Sequence, residues 1–269
     1  MLCDFSGKRI LVTGGASGIG AACCGHFVAA GGAVHVADRR PVPTGEEAAP
    51  LATSTTLLDI ADPEAVRRVV ASIEEEHGPI DVLVNAAGVL QRTLPPEELT
   101  SGEWDRIFDV HLRGTYTATV AVGTRMAARG QGSIVTIASV AGMVSGPVHA
   151  YGPAKAALIH LTSCLAGEWG RSGVRVNAVS PGFTSTPAID KGIAQGTLDP
   201  AVLAEASAIG RMVRPEEVAA AVLFLSSDCA SGITGVNLPV DLGHLAATGW
   251  SAYGGVRPPR PLGGRRASA

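Results

Sequence analysis

Short apolar runs alternate with longer amphipathic segments along almost the whole chain. The runs that predict strands are Arg9–Thr13, Ala33–Ala37, Thr55–Leu58, Asp81–Asn85, Ser133–Ala138, Val174–Val179 and Val236–Val240. The segments that predict helices are Gly18–Ala30, Pro63–His77, Gly102–Arg129, Tyr151–Arg171 and Pro215–Ser226. Short apolar strands that alternate with helices are typical of βαβ units. The pattern therefore predicts an α/β fold, a single domain with a doubly wound parallel sheet of about seven strands and helices on both faces.

Two segments fall outside this alternation. Residues 187–210 are polar and rich in small side chains, and they follow the sixth predicted strand, so we expect a mobile substrate flap there. Residues 244–269 are rich in glycine and proline and contain no acidic residue, so we expect a solvated, partly disordered extension rather than a binding arm. Its arginines are Arg257, Arg260, Arg265 and Arg266. The predicted domain spans residues 1–243, including the flap, and the extension follows it.

Composition and charge narrow the class of protein. The chain has 269 residues, 46% of them hydrophobic and 17% charged, which is enough to bury a large core. Its net charge of −3 gives no general attraction to nucleic acid or to an anionic membrane, and we expect neither as a partner. The uncharged stretch Ile10–Ala37 is long enough to span a bilayer. Its glycines and its change of period predict a strand, a turn and a buried helix instead.

The cysteines indicate no metal site. The five are Cys3, Cys23, Cys24, Cys164 and Cys229, and none has the spacing of a zinc ligand set, so we expect no metal. Adjacent Cys23 and Cys24 are best interpreted as small apolar residues of a buried helix. The odd count and the lack of a leader peptide favour a cytoplasmic location.

A glycine-rich turn joins the first predicted strand to the first predicted helix. Its sequence, TGGASGIG at Thr13–Gly20, allows a tight bend and brings backbone N–H groups close to a pyrophosphate. Asp38 ends the second predicted strand, where a carboxylate accepts hydrogen bonds from an adenosine ribose. This context predicts a Rossmann-like dinucleotide site. The residues expected to form it here are Gly14, Ser17, Gly18, Ile19, Gly20 and Asp38.

The same region bears on the choice of cofactor. The carboxylate of Asp38 would repel a 2′-phosphate, which favours NAD over NADP. Arg39 and Arg40 follow at once, and arginines in this place can hold a phosphate, with Arg39 the expected contact. We expect NAD, and NADP remains possible.

A tyrosine and a lysine stand one helical turn apart in AYGPAKAA, residues 150–157. Tyr151 and Lys155 therefore lie on one face, and Pro153 is tolerated because a first-turn N–H has no intrahelical partner to lose. A lysine close to a helix N-terminus is disfavoured by the macrodipole. A local structural reason for Lys155 is therefore weak.

Taken in order, several motifs resemble those of the short-chain dehydrogenase/reductase family. They are TGGASGIG, NAAG at Asn85–Gly88, Ser139, Tyr151-x-x-x-Lys155, SPGFTST at Ser180–Thr186 and the run at Gly210–Gly235. The resemblance covers roughly residues 5–243, nearly the whole predicted fold. It implies an NAD(P)-dependent oxidoreductase that acts on a small-molecule alcohol or ketone.

The resemblance also implies roles for individual residues. Tyr151 would be the general base or acid, Lys155 would lower its pKa and grip the nicotinamide ribose, and Ser139 would stabilise the substrate oxygen. Further cofactor contacts implied in the same way are Asp59, Ile60, Asn85, Ala86, Gly88, Pro181, Gly182, Thr184 and Thr186. For Asp59 and Asn85 a purely structural role stays open.

Two positions depart from the family pattern. His111 stands where the family usually has an asparagine that orders a water in a proton relay, and an imidazole would replace the amide or weaken the relay. A histidine simply packed in the helix is the other interpretation. Leu242 stands where a second glycine is common, which indicates altered packing near the C-terminus.

Three functions are compatible with these residues. The favoured one is an NAD-dependent dehydrogenase of secondary alcohols such as polyols, sugars, cyclic alcohols or hydroxysteroids. The second is an NADP-dependent carbonyl or ketoacyl reductase, and the third is a cofactor-binding sensor without turnover. The expected pocket residues are Val89, Leu90, Gln91, Val140, Met143, Val144, His149, Phe183 and the flap. The resemblance implies a homodimer or homotetramer formed through the helices at Gly102–Arg129 and Tyr151–Arg171.

Overall fold

The computed structural model describes residues 3–42 and 52–258, which include a parallel sheet of seven strands. The strands are β1 Arg9–Thr13, β2 Ala33–Asp38, β3 Ser54–Leu57, β4 Val82–Asn85, β5 Gly132–Ile137, β6 Val174–Pro181 and β7 Asn237–Val240. Their order across the sheet is β3-β2-β1-β4-β5-β6-β7, and every neighbouring pair is parallel. The predicted doubly wound sheet is confirmed.

Helices cover both faces of the sheet. They are α1 Gly18–Ala29, α2 Pro63–His77, α3 Ser101–Phe108, α4 Thr115–Arg129, α5 Tyr151–Trp169, α6 Pro187–Ala194, α7 Pro200–Glu205, α8 Pro215–Ser226 and α9 His244–Ala247. Successive side chains of β1 point to opposite faces of the sheet. Ile10 and Val12 pack on the face covered by α1 and α8, and Leu11 packs on the face covered by α2 and α4. A strand buried on both faces is apolar at every position, which explains the unbroken apolar runs.

The strand order changes direction at β1. Strands β2 and β3 lie on one side of β1, and strands β4 to β7 lie on the other. Since β1 pairs with both β2 and β4, the loops that follow β1 and β4 leave the sheet side by side, with Thr13 opposite Asn85. Ligands of open α/β sheets bind at such a switch point, outside the carboxyl ends of the strands. The fold thus brings the glycine-rich turn next to the NAAG segment.

The long helix predicted at Gly102–Arg129 is interrupted. Between α3 and α4, Asp109–Gly114 forms a π-helical segment that carries His111. Gly114 lies so close to the chain after β3 that a Cβ there would come 2.6 Å from the carbonyl oxygen of Ile60. The π-helical turn therefore depends on a contact with a distant segment of the chain. Insertions of this kind are frequent at functional sites.

The segment predicted as an irregular flap contains two helices, α6 and α7. Thr186 accepts a hydrogen bond from Ile189 N at the start of α6, and Asp199 accepts one from Ala201 N at the start of α7. Each capping residue precedes a proline, the order expected at a helix start. The Thr-Pro and Asp-Pro pairs were therefore helix signals within this segment.

The extension also begins with regular structure. α9 and a 3₁₀ turn at Trp250–Tyr253 occupy the part for which the sequence predicts a loose tail. Residues 259–269, with three of the four tail arginines, lie outside the described residues. Leu242 has φ 53, the left-handed conformation that favours glycine, so the departure noted at this position leaves a leucine in a strained backbone.

Cysteine and metal chemistry add little to the fold. Cys23 and Cys24 are buried in α1, as predicted, and burial raises the pKa of the Cys24 thiol to about 12. Across residues 3–42 and 52–258, no cluster of three or more His, Cys, Asp or Glu side chains is arranged to hold a metal ion. No helix in that part of the chain is both long and apolar enough to cross a membrane.

Candidate active site

The glycine-rich turn lies against the loop that follows β4. Gly14 has φ 74, and a Cβ there would come 2.5 Å from Ala87 Cα. At Gly20 a Cβ would come 2.2 Å from the carbonyl oxygen of Gly14. Only glycine fits these two positions, so the turn presents bare backbone at the switch point.

The start of α1 is left open. Ser17 is the N-cap residue, but its side chain makes no capping hydrogen bond, and Gly18 follows with φ 56. The first-turn N–H groups of a helix have no intrahelical acceptor, and together with the macrodipole they form an anion site. Ile19 packs against the core, and Thr186 lies 3.4 Å from where a Cβ of Gly18 would be. The site residues predicted in this turn are therefore brought together around a helix start that fits a pyrophosphate.

Asp38 lies beside this turn at the end of β2. It is only 7% exposed, and its carboxylate accepts hydrogen bonds from Ala16 N at 3.1 Å and from Arg40 N at 2.9 Å. The Arg40 guanidinium donates to Ser17 Oγ at 2.6 Å and lies 3.9 Å from the Asp38 carboxylate. Arg39, the arginine expected here, and Arg40 are both exposed to solvent. Arg40 is the one whose side chain contacts Ser17 and Asp38.

The loop after β3 contributes one exposed and one buried residue. The Asp59 carboxylate is exposed and accepts a hydrogen bond from Ala61 N at 2.9 Å. Ile60 is buried against Gly114 of the π-helical segment. Asp59 therefore orders the turn before α2 and still presents its carboxylate at the sheet edge.

Asn85 braces the sheet at the end of β4. Its side-chain amide donates to Thr119 Oγ1 of α4 at 2.9 Å and to Thr136 Oγ1 of β5 at 3.3 Å. Ala86 N donates to Thr13 O, which ties this loop to the end of β1. These hydrogen bonds are a structural role for Asn85, one of the two roles that the sequence left open for it.

The loop after β6 brings four more expected residues to the same edge. Pro181 ends β6, and Gly182 N donates to Val240 O of β7. Thr184 Oγ1 donates to Gly182 O, and Thr186 caps α6. These bonds fix the route of the chain from β6 into the flap.

Ser139 and Tyr151 form a hydrogen-bonded pair. Tyr151 is the first residue of α5, and Ser139 precedes a 3₁₀ turn, where its Oγ accepts a bond from Ala141 N at 3.1 Å. Burial raises the pKa of the Tyr151 phenol, and the hydrogen bond with the Ser139 side chain opposes that shift. The two hydroxyls can therefore bind one substrate oxygen together.

Lys155 lies beneath the tyrosine and is 4% exposed. Its Nζ donates to the carbonyl oxygen of Ile137 at 2.7 Å and lies 5.5 Å from the centroid of the Tyr151 ring. Burial lowers the pKa of Lys155 to about 7. The side chain of Lys155 is thus held by the end of β5, next to the ring of Tyr151.

His111 packs against the same tyrosine. The two rings meet edge to face with centroids 5.1 Å apart, and His111 Nε2 lies 2.8 Å from Val89 O. Nε2 also lies 3.2 Å from Val89 N, but the shorter contact is to a carbonyl oxygen, which can only accept, and this favours the tautomer with the proton on Nε2. Nδ1 is then a buried acceptor with no partner, and burial, with the nearby Lys155, lowers the pKa of His111 to about 3.

The residues expected to line the substrate pocket differ from one another in exposure and in contacts. Leu90, Met143 and Phe183 are exposed apolar residues, and the Phe183 ring meets His244 of α9 edge to face at 5.5 Å. Gln91, expected to line the pocket, is buried and bonds the start of α5 instead. No local pattern in the sequence marks either Gln91 or His244, because both contacts join segments distant along the chain.

Comparison with known proteins defines the class. A family model described as enoyl-(acyl carrier protein) reductase matches residues 14–244. Galactitol 2-dehydrogenase of Rhizobium johnstonii is 37% identical over 89% of this chain and 95% of its own. D-threitol dehydrogenase of Mycolicibacterium smegmatis is 38% identical over 90% and 95%. The short-chain reductase NovJ of Streptomyces niveus is 40% identical over 87% and 92%.

Solved structures have the same fold. A Brucella melitensis 16M crystal structure described as ribose-5-phosphate isomerase is 51% identical, with a TM-score of 0.90 over 96% of this chain and all of that one. The aldohexose dehydrogenase of Thermoplasma acidophilum is 32% identical, with a TM-score of 0.82 over 91% and 95%. ElxO, solved with NADP, is 27% identical, with a TM-score of 0.82 over 89% and 99%.

The fold, the open glycine-rich turn and the tyrosine–lysine pair define an NAD(P)-binding oxidoreductase. The chain belongs to the short-chain dehydrogenase/reductase family, and it acts on the CH–OH groups of alcohols.

Proposed function

We propose that the protein is an NAD-dependent dehydrogenase of a secondary alcohol, with a polyol or sugar as the favoured substrate. The observation that carries the proposal is the convergence of Ser139, Tyr151 and Lys155 after β5, at the same carboxyl edge of the sheet as the glycine-rich turn after β1. Relatives named for galactitol and D-threitol, and a structure named for aldohexose, support a polyhydroxylated substrate. Cyclic alcohols and hydroxysteroids stay within the proposed class.

The tyrosine carries the proton in this proposal. The Tyr151 oxygen accepts the proton of the substrate hydroxyl, and in the reverse direction it donates one to the carbonyl oxygen. Ser139 donates a hydrogen bond to the same substrate oxygen and stabilises the charge that develops there. The bound dinucleotide supplies the hydride acceptor. Lys155, held against the end of β5, stabilises the phenolate and reaches the nicotinamide ribose.

His111 takes part as a neutral hydrogen-bond acceptor. Because burial lowers the pKa of His111 to about 3, the neutral imidazole is its resting form at neutral pH. Its unpartnered Nδ1 is available to accept a hydrogen bond from the water that the family asparagine normally orders. The edge-to-face contact with Tyr151 keeps this acceptor beside the proton route.

NAD is the cofactor that the site favours. The bare turn at Gly14 and the uncapped start of α1 fit a pyrophosphate, and the buried Asp38 carboxylate fits the two ribose hydroxyls of NAD. Within this assignment, the other contacts are those expected at Asp59, Ile60, Asn85, Ala86 and Gly88 and after β6.

The second candidate is an NADP-dependent reductase. One observation favours it: the Arg40 guanidinium lies on Ser17 and near Asp38, where it could hold a 2′-phosphate. The reductase relative NovJ agrees with this alternative. We rank it second because the carboxylate of Asp38 faces the same position.

We propose a dimer or tetramer of this chain. A largely apolar groove of about 480 Å³ runs along the two long helices and is lined by Phe108, Leu112, Arg113, Tyr116, Ala157, His160, Leu161 and Cys164. Both helices of the expected contact thus contribute apolar surface to one groove. Light scattering of the purified protein tests this, and a monomer would contradict it.

The test of the activity is a matrix of cofactors and substrates. NAD and NADP are each offered with polyols, aldoses, cyclic alcohols and hydroxysteroids, and formation of the reduced cofactor is followed by absorbance. Turnover with NAD and a polyol or sugar supports the proposal, whereas turnover with NADP alone supports the reductase. Ribose 5-phosphate is added as a separate arm, and its isomerisation without cofactor would contradict both.

A further inference from the structure

The start of the helix that carries Tyr151 has no cap of its own. Its N-cap residue is Ala150, which has no side-chain acceptor. The side-chain oxygen of Gln91 accepts hydrogen bonds from Ala150 N at 2.9 Å and from Tyr151 N at 2.8 Å. A glutamine from another loop therefore provides the cap, and one of its two bonds goes to the tyrosine backbone itself.

The other N–H groups of the first turn are accounted for locally. Gly152 N donates to Val148 O at 2.9 Å, Pro153 has no N–H, and Ala154 N donates to Ala150 O at 3.0 Å. Two donors, those of Ala150 and the next residue, thus have their acceptor in Gln91. Buried backbone donors need partners, so this side chain fixes where α5 begins.

The loop that carries Gln91 is held on both sides. Val89 contacts His111 Nε2 through its carbonyl, and Arg92 N and guanidinium donate to the carboxylate of Glu103 at 3.1 and 2.7 Å. The pairing with Arg92 lowers the pKa of Glu103. Gln91 therefore projects from a loop whose backbone has little freedom to move away from α5.

The orientation of the Gln91 amide follows from its partners. Because both partners are N–H donors, the oxygen must face them, and Nε2 must point the other way. Nε2 is buried and has no hydrogen-bond partner, and the residue is 9% exposed. A buried amide that leaves its own donor unpaired departs from the usual rule and indicates that its acceptor role is the one required.

We infer that Gln91 is a positioning residue for the oxidoreductase reaction: it sets the place of the Tyr151 hydroxyl through two hydrogen bonds to the start of α5. The inference rests on the function proposed for Tyr151. Groups that face this tyrosine are Ser139, Lys155 and His111, so a shift at the helix start changes its distance to all three.

Two variants separate positioning from simple packing. Gln91→Met keeps the length of the side chain and removes the acceptor, while Gln91→Glu keeps an acceptor and adds a negative charge. The matched control is Gln131→Met, at an exposed glutamine between α4 and β5. We expect Gln91→Met to lower kcat by about tenfold to a hundredfold with KM for NAD within about twofold, since small displacements of reacting groups have such effects. Gln91→Glu recovers most of kcat.

A titration that needs no turnover completes the test. The chain has three tyrosines, so the ultraviolet difference between each protein and its Tyr151→Phe counterpart reports the ionisation of Tyr151 alone. The expected result is a higher pKa for Tyr151 in Gln91→Glu, because a nearby carboxylate disfavours the phenolate, and an alkaline shift of the pH profile of kcat. The inference is overturned if both variants match the wild type in this titration and in kcat.

The same measurements keep the two proposals apart. If the wild type turns over no alcohol but the Tyr151 titration shifts in Gln91→Met, which adds no charge, the proposed function fails and the positioning role stands. If Gln91→Met does not fold, the titration and kcat of Gln91→Glu decide the outcome.

Discussion

Two helices begin at the carboxyl edge of the sheet, and they differ in whether a side chain caps the backbone N–H groups of the first turn. Neither N-cap side chain makes a capping bond, at Ser17 for α1 or at Ala150 for α5. The start of α1 is left open beside bare glycine backbone, whereas the start of α5 is closed by the amide of Gln91. An open helix start can bind an anion, and a closed one can hold its own side chains still.

The difference matches what each helix has to do. In the proposed function the turn before α1 receives the pyrophosphate of the cofactor, so its N–H groups have to stay free for that ligand. The first turn of α5 presents Tyr151 and Lys155, and both must keep a fixed relation to the end of β5. In these proposals one helix start thus serves binding and the other serves positioning.

The largest effect is expected from removing the group that the closed helix presents. Tyr151→Phe should lower kcat by about a thousandfold, roughly 4 kcal/mol, because proton transfer loses its donor and acceptor. Affinity for NAD should stay within a few fold. Steady-state kinetics and calorimetric titration measure the two quantities, with Tyr253→Phe, at a tyrosine that is 91% exposed, as the control. Equal kcat in both variants would remove Tyr151 from the mechanism.

The next effect comes from filling the open turn. Gly14→Ala places a Cβ 2.5 Å from Ala87 Cα in a residue with φ 74, and should weaken NAD binding by about a hundredfold as the turn moves. Gly7→Ala is a matched control, since Gly7 also has φ 74 and its Cβ would meet nothing within 4 Å. Similar losses of affinity in the two variants would show that backbone strain, not the close approach, is responsible.

A smaller effect concerns the histidine that packs against the closed helix. The pKa of His111 is about 3 in the native state, below the unfolded value near 6.5, so between these limits the unfolded chain binds the extra proton. Stability contributed by this residue is therefore lost as pH falls from 7 to 5, by about 2 kcal/mol. Between pH 7 and pH 5 the free energy of unfolding, measured with urea, should therefore fall by about 2 kcal/mol less for His111→Asn than for the wild type. The same pH slope in both proteins would contradict a buried neutral histidine.

The smallest effect is expected at a third loop on the same edge. Leu242 has φ 53 and Gly14 has φ 74, yet only one of them is a glycine. In Leu242→Gly the relief of strain offsets lost packing, so the free energy of unfolding should change by less than about 1 kcal/mol. Leu238→Gly, in β7 and in contact with the same core, should lose about 3 kcal/mol. Thermal unfolding compares them, and a large loss at Leu242 would mean that its packing outweighs its strain.

Local patterns in the sequence were enough for the sheet and for the open turn. Apolar runs indicate strands that are buried on both faces, and TGGASGIG between a strand and a helix indicates a phosphate-binding turn. The sheet and this turn were therefore predictable. Arg40 was not distinguishable from Arg39, because only the turn after β2 decides which side chain folds back over Ser17. The roles assigned to the site residues stay predictions until they are measured.

Features that depend on distant contacts could not be read from one segment. Gln91 caps a helix that starts about 60 residues later, and its own surroundings contain no helix signal. The π-helical turn at His111 depends on Gly114 fitting against Ile60 of another loop. α6 and α7 did have local signals, in Thr186-Pro187 and Asp199-Pro200, but both helices are short.

The order of the strands also has a consequence for how the chain folds. β1 is made before the other six strands, yet it lies inside the sheet and pairs through Ile10 with Val34 on one side and with Val82 on the other. Its second edge stays unpaired until β4 has been made, which leaves an apolar strand exposed in the nascent chain. Parallel pairings between such distant segments form slowly. We therefore expect refolding that is slow and prone to aggregation, with yields that fall as protein concentration rises.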